Sequence, residues 1–232
     1  MSTKVCACVC LCALCGRAAA GTPIPPSLGS PQPEPHAFPS LSPFLSQTNG
    51  VKPEHGLAST GQAQAAAAGM EWARQIGPHP DPASLRIVAS PFARTLETAT
   101  LAGVAVGIAP GDGAGRFATA EELVERHFGG FELQDHAHYA TVWEEDARDL
   151  DWHPPGGGES VRDVAVRAAA LFARLEAELG PVAAGSGEGP KRVLLVAHGD
   201  TLSIATAVAK GADLAQHRAH AQETGELRRL VV

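Results

Sequence analysis

From about Gln47 onward the chain alternates short apolar runs with amphipathic stretches, the pattern of a sheet covered by helices. Residues 61–76 are alanine-rich, follow Ser59 or Thr60 as a cap, and set Ala63, Ala66, Ala67, Met70, Ala73 and Ile76 on one helical face. Residues 85–89 read as a strand. Ser90-Pro91 stops it, and Pro91 suits the first turn of a helix reaching about Leu101. Residues 104–108 read as a second short strand ahead of a glycine-rich turn at 111–115, and 119–126 are expected to be helical. Residues 128–151 are aromatic and acidic without a clean period, which marks a mixed insertion. The strongest helix is 159–179, where Val161, Val164, Ala165, Ala168, Leu171, Phe172, Leu175 and Leu179 recur at three and four. Gly180-Pro181 ends it. Beyond a flexible link at 185–189, residues 193–197 form the continuous apolar run of a strand buried on both faces. A helix over 202–210 and a last strand over 226–232 complete the series.

The first 45 residues have another character and are expected to stand outside the folded domain, which spans 46–232. Eight prolines between Pro23 and Pro43, set among serines, read as a low-complexity linker or targeting region. All five cysteines, Cys6, Cys8, Cys10, Cys12 and Cys15, lie ahead of it, so the folded part is a cysteine-free, intracellular-type domain. Three readings compete for the cluster. A cysteine-phosphatase loop fails on spacing, because Cys-x5-Arg is not met by Arg17 from any of the cysteines. Thiolates at this density would bind zinc or copper(I), yet no histidine or further cysteine follows to complete a spaced tetrahedral site. The third is a plain apolar segment over 5–14, preceded by Lys4 and followed by small residues, which outlines a secretory signal peptide against an otherwise cytoplasmic composition. Ten apolar residues are too few for a membrane-spanning helix, so no integral membrane span is expected.

At 232 residues with a formal net charge of −7 and no basic run, one α/β domain plus a tail is expected, with neither a nucleic-acid footprint nor a polybasic membrane patch. Small molecules or proteins fit better as partners. The candidate chemistry sits at two strand ends. The buried run 193–197 delivers His198, Gly199, Asp200 and Thr201 just as a helix begins, the edge at which open α/β sheets bind ligands. A helix amino-terminus offers unpaired N–H groups and a positive dipole end to a phosphate. His198 can donate to a phosphoryl oxygen there, and Gly199 lets the backbone approach. A lone His-Gly is more often a satisfied core histidine, but a second strand, turn and helix places Arg94 in a first helical turn. A guanidinium grips phosphate with two parallel bonds, which a lysine cannot do.

Ser90-Pro91-Phe92-Ala93-Arg94-Thr95-Leu96-Glu97-Thr98-Ala99 resembles the Ser-Pro-x-x-Arg-x-x-x-Thr-Ala motif of the histidine phosphatase superfamily, the phosphoglycerate mutase-like enzymes. Leu57-Ala58-Ser59-Thr60-Gly61-Gln62-Ala63-Gln64-Ala65 is similar to that family's Leu-Thr-x-x-Gly-x-x-Gln-Ala helix start. Glu125-Arg126-His127-Phe128-Gly129 is similar to its Glu-Arg-x-aromatic-Gly block, and Gly158-Glu159-Ser160 to its Gly-Glu-Ser. With His198-Gly199 these stand in the family's order. The resemblance implies a three-layer α/β/α sandwich with a mostly parallel sheet, and a metal-free, cofactor-free phosphomonoesterase acting on a small phosphorylated metabolite through a phosphohistidine. It implies that Arg94 binds the phosphoryl group, His198 stabilises its transition state and Glu125 protonates the leaving oxygen. A carboxylic acid beside a phosphate keeps its proton because the neighbouring negative charge raises its pKa. His127, His136, His138, His217 and His220 are read as surface or loop histidines.

The family's nucleophile is the histidine of an Arg-His-Gly after its first core strand. Here Gln47-Thr48-Asn49 keeps the segment that trails it, but Phe44-Leu45-Ser46 stands where Arg-His-Gly belongs, and Pro39 and Pro43 forbid a central strand before it. Glu54-His55-Gly56 looks like a corrupted copy but lacks a preceding strand. The first core strand is therefore expected to be missing and the chain nearly inactive as written. A pseudoenzyme and a coding sequence with an unrelated leader spliced ahead of Gln47 both account for this. Residues 5–14 are weighed as the occupant of the vacated strand position, with their cysteines counting against it. A non-catalytic phospholigand-binding module and a mutase are the rival functions.

Overall fold

The structure, a computed structural model, describes residues 6–12, 56–78, 80–134, 138–180 and 191–231, with the backbone alone at 6–12 and 231. Its strands are β1 (Cys6–Cys12), β2 (Leu85–Ala89), β3 (Phe117–Thr119), β4 (Arg192–Ala197) and β5 (Arg229–Val231), in the sheet order β3-β2-β4-β1-β5. β3, β2, β4 and β1 run parallel, and β5 closes the edge antiparallel to β1. The helices are α1 (Ser59–Ile76), α2 (Ala93–Val104), α3 (His138–Asp146), α4 (Val161–Leu179) and α5 (Gly199–Lys210).

Alternate residues of the central strands feed two separate cores. Leu85, Ile87 and Ala89 of β2 and Leu194 and Val196 of β4 pack with Ala65, Ala68 and Trp72 of α1 and Ala99 and Ala102 of α2. Val88 of β2 and Val193, Leu195 and Ala197 of β4 pack with Leu171, Phe172 and Leu175 of α4 and Leu202 and Ala205 of α5. The period of two along a strand covered on both faces dictates this division, so helices lie against both sides of the sheet. Ser160 opens α4 with a capping box, its side chain accepting from Asp163 N–H while the Asp163 carboxylate accepts from Ser160 N–H.

The expectation of a missing first core strand is corrected. Cys6–Cys12 lies parallel beside β4, in the register Val9 to Leu194, Cys10 to Leu195, Leu11 to Val196 and Cys12 to Ala197. A buried strand such as β4 needs partners for its ladder amides and carbonyls on both sides. Gln47, Thr48, Asn49, Glu54, His55 and Cys15 lie outside the described residues, as do His136 and the link at 185–189.

Other elements depart from the sequence reading. The strand expected at 104–108 is the end of α2 and a turn, and the strand beside β2 is β3 at Phe117–Thr119. Ile108, 1% exposed, plugs the core from irregular backbone instead of pairing. Gly103 makes that close approach feasible, since a Cβ there would lie 2.3 Å from the Ile108 carbonyl oxygen. The helix expected at 119–126 is a single 3-10 turn at Glu121–Leu123. On α1 the buried face holds Ala65, Ala68, Gly69, Trp72 and Ile76, while Met70 is 63% exposed. Trp72 decides the rotation, because burying its ring outweighs any choice among alanines. Among the described residues no helix is long and apolar enough to cross a membrane.

Replacing Val9 by proline removes a ladder hydrogen bond inside the sheet at a cost of about 1–3 kcal/mol, and is expected to lower the thermal midpoint by several degrees. Scanning calorimetry checks this. An unchanged midpoint would show that β1 lies outside the cooperative unit.

Candidate active site

β2 and β4 are adjacent and parallel, so both deliver their chains to helices at the same edge of the sheet. The residues before α2 and α5, Phe92 and His198, are extended and make no side-chain cap. The first N–H groups of both helices and their positive dipole ends therefore lie at one edge of the sheet. Arg94, the second residue of α2, and His198 meet there with 3.1 Å between Nη2 and Nδ1. The other ring nitrogen of His198, Nε2, is 2.9 Å from Ser90 Oγ. Ser90 N–H donates to the Val196 carbonyl at 2.8 Å, which carries the β2–β4 ladder one rung past the strand end. Phe92 forms a further wall, edge-on to His198 at 5.0 Å between centroids and 4.9 Å from the Arg94 guanidinium carbon.

The protonation state of His198 follows from these partners. A guanidinium only donates, so Nδ1 must accept, and the ring proton then sits on Nε2 and is donated to Ser90 Oγ. The imidazole is neutral. Burial, then the positive charges of Arg94 and Arg167, push its pKa well below the usual histidine value. His198 is 1% exposed and Arg94 5%, so a guanidinium lies nearly buried with a neutral ring as its neighbour.

Glu125 follows the 3-10 turn at Glu121–Leu123 and turns its carboxylate toward the start of α5. Oε1 accepts from Arg126 N–H at 3.0 Å and Thr201 N–H at 3.4 Å. The Thr201 hydroxyl, 3.3 Å away, has a shorter bond to the Val124 carbonyl at 2.8 Å. Burial, and secondly the charge of Asp200, raise the Glu125 pKa to about 7 against the opposing effects of Arg94 and the backbone donors. Near neutrality Glu125 is thus partly protonated, as a proton donor must be.

A buried frame supports this arrangement. The Arg126 guanidinium makes a two-pronged bond to Asp146 at 2.6 and 2.8 Å, reaches Asp200 at 3.2 Å and donates through Nε to the Glu159 carbonyl at 2.9 Å. The Glu159 carboxylate accepts from His127 N–H at 3.0 Å and from Arg167 at 3.0 and 3.1 Å. The Gly-Glu-Ser segment therefore both caps α4 and braces the segment that follows Glu125. Ligand atoms of Asp146, Asp200 and His217 lie within 4.8 Å of one another, the one potential metal-holding group among the described residues. The Arg126 guanidinium bonds both carboxylates and Arg218 bonds Asp200, so two arginine cations already pair with that cluster.

Of the residues singled out from sequence, Arg94, His198, Gly199 and Glu125 are brought to one edge, with Gly199 the first residue of α5. His217 is corrected: it is 1% exposed, with Nδ1 bonded to the Leu214 carbonyl at 3.0 Å, and is not a surface histidine. His138 stacks on Phe131 at 4.9 Å. Sequence reasoning missed the roles of Ser90, Phe92, Arg126, Asp146, Asp200 and Arg167. Ser90, Phe92 and Arg126 stood inside quoted motifs, where a question about each motif's other polar or aromatic positions would have found them. Asp146 carried no local signal.

This geometry is accompanied by a clear kinship. The family model for the histidine phosphatase superfamily, branch 1, matches residues 46–232, and the chain belongs to that superfamily. Among solved structures it is similar to mycobacterial glucosyl-3-phosphoglycerate phosphatase, at 29% identity with a TM-score of 0.58, covering 75% of this chain and 76% of that one. A mycobacterial protein described as hydrolase 1 matches at 27% identity and a TM-score of 0.62, covering 80% and 83%. The glucosyl-3-phosphoglycerate phosphatase has also been solved with inorganic phosphate, and matches there at 28% identity, a TM-score of 0.56 and 75% and 79% coverage. No curated protein matches the chain.

The raised pKa of Glu125 has a stability consequence. The folded state holds this proton more tightly than the unfolded chain, so stability is lost as pH rises from about 4.5 through about 7. Glu125→Gln mimics the neutral acid and is expected to raise stability above pH 7 by on the order of 2 kcal/mol, with little effect below pH 4.5. Urea unfolding at pH 4 and pH 8 checks this, and an equal effect at both would contradict the assignment.

Proposed function

We propose that this chain carries the phosphate-ester site of a histidine phosphatase family phosphomonoesterase, and that as written it binds phosphoryl groups without turning them over. The observation that carries the reading is the 3.1 Å approach of Arg94 to His198 at the edge where α2 and α5 begin. Two adjacent helix starts, a buried guanidinium and a histidine at one strand edge favour a small multiply charged anion. An arriving phosphoryl oxygen takes the place of His198 Nδ1 as acceptor for Arg94. The freed Nδ1 of His198 takes up a proton from solvent, and the charged ring hydrogen-bonds a second phosphoryl oxygen. Glu125, partly protonated near pH 7, is the group we assign to supply the proton without which an ester oxygen leaves poorly.

The covalent step needs a nucleophile, and the 232 residues contain no Arg-His-Gly. β1 fills the first strand position with Cys6–Cys12, so the sheet is complete while the motif is not. Positioning groups alone give only a small residue of the full rate. A second reading is favoured by the family match starting at residue 46, right where the proline-rich leader stops. In it, another transcript of the same gene encodes an apolar strand and Arg-His-Gly ahead of Gln47, and that product is the active phosphatase. Sequencing the transcript's 5′ end decides it.

Calorimetry with inorganic phosphate and vanadate, run beside hydrolysis of p-nitrophenyl phosphate, tests the main reading. The expected result is binding, no turnover, and at least about a tenfold loss of phosphate affinity in Arg94→Ala, since a charge-assisted bond contributes roughly 1.5–3 kcal/mol. Absence of phosphate binding would contradict the site, and steady turnover would contradict the missing nucleophile.

A further inference from the structure

Asp200 is the second residue of α5 and is 5% exposed. Oδ2 accepts from Arg126 at 3.2 Å, while Oδ1 accepts from the indole Nε1 of Trp143 at 3.1 Å and from Arg218 at 3.0 Å. Those three donors come from three different places: the segment just after Glu125, helix α3 of the insertion, and the 3-10 segment Leu214–His220. Arg126 N–H and Thr201 N–H, on either side of this knot, are two of the donors to Glu125 Oε1. Arg218 also lies 3.7 Å from the centre of the Trp143 ring, and Trp143 stacks on Tyr139 at 5.2 Å.

We propose that Asp200 is the positioning residue of Glu125: its carboxylate fastens the acid-bearing segment, α3 and the 3-10 segment to the start of α5, and confronts Glu125 with a like charge that Arg126 and Arg218 partly neutralise. This rests on the reading of Glu125 as the leaving-group acid. One carboxylate then does two things for the reaction. It fixes where the proton is held, and it makes the proton stay near neutral pH. The direction agrees with Asp200 being the largest source of positive shift on Glu125 after burial.

The groups facing Glu125 come from every neighbouring element. Arg94 of α2 opposes the shift, and Asp200 of α5 raises it. Tyr139 of α3 has a phenol whose own ionisation is held back by burial first, and then by Glu125 and Asp200. Arg167 of α4 reaches the Thr201 hydroxyl at 3.5 Å. The Asp200 charge is tuned by a partner that reaches the surface, because the Arg218 side chain is 35% exposed. That makes the proposal testable from two sides.

The test is a carbon-13 titration of the Glu125 side-chain carboxyl in the full chain, assigned with Glu125→Gln. The native midpoint is expected near 7. Asp200→Asn removes the like charge and keeps an acceptor for Trp143, so the midpoint should fall by about one unit; Arg218→Gln leaves Asp200 less neutralised, so it should rise by about half a unit. A purely structural role for Asp200 does not produce opposite shifts. Midpoints that stay put in both variants, or move in the same direction, overturn the proposal. If Asp200→Asn does not fold, Arg218→Gln decides alone: an upward shift supports the role and none rejects it. Phosphate calorimetry on the same samples separates the two readings, because opposed shifts without phosphate binding would leave the positioning role standing and remove the phosphate site.

Discussion

The site depends on a line of contacts that crosses two strand ends: Ser90 Oγ to His198 Nε2 at 2.9 Å, and His198 Nδ1 to Arg94 at 3.1 Å. It exists because β2 and β4 are adjacent and parallel, so that the residues after Ala89 and Ala197 emerge side by side. The same line sets the electrostatics. Arg94 can bond His198 Nδ1 only while the ring is neutral, so the resting arrangement gathers a guanidinium, an uncharged imidazole and two helix starts at one edge of the sheet.

Around this line lies an acidic counterpart. Glu125, Asp146 and Asp200 belong to a segment, an insertion helix and a helix start that are far apart in sequence, and they are drawn together by Arg126 and by the backbone donors of α5. Asp146 and Asp200 pair with Arg126, whereas Glu125 has no such ion pair among the described residues and burial raises its pKa to about 7. Environment alone makes this division, since the side chains differ by a single methylene.

Much of this was legible in the chain. A continuous apolar run ending in His198-Gly199, and a strand ending in Ser90-Pro91 with Arg94 four residues on, state a strand, a turn and a helix in local code. What was not legible has physical reasons. Residues 6–12 have a composition that fits a signal peptide as well as a strand, and only the open side of β4 decides for the strand. Val104, Val106 and Ile108 alternate like a strand, yet an apolar residue can be buried from a turn when a glycine such as Gly103 lets backbone come close. The alanine-rich α1 offers little contrast around its circumference, so its rotation is set by the single ring of Trp72. Arg126, Asp146 and Asp200 make a contact across 20 and 74 positions, which no local period encodes.

The central claim is that Arg94 and His198 form one anion-binding pair whose resting state is a neutral imidazole. Nitrogen-15 spectra of the His198 ring at pH 7, recorded before and after adding inorganic phosphate, test it most directly. The account predicts a ring protonated only at Nε2 in the free protein, and protonated at both nitrogens once phosphate is bound. A ring already charged without phosphate, or one indifferent to phosphate that binds the protein elsewhere, would contradict it.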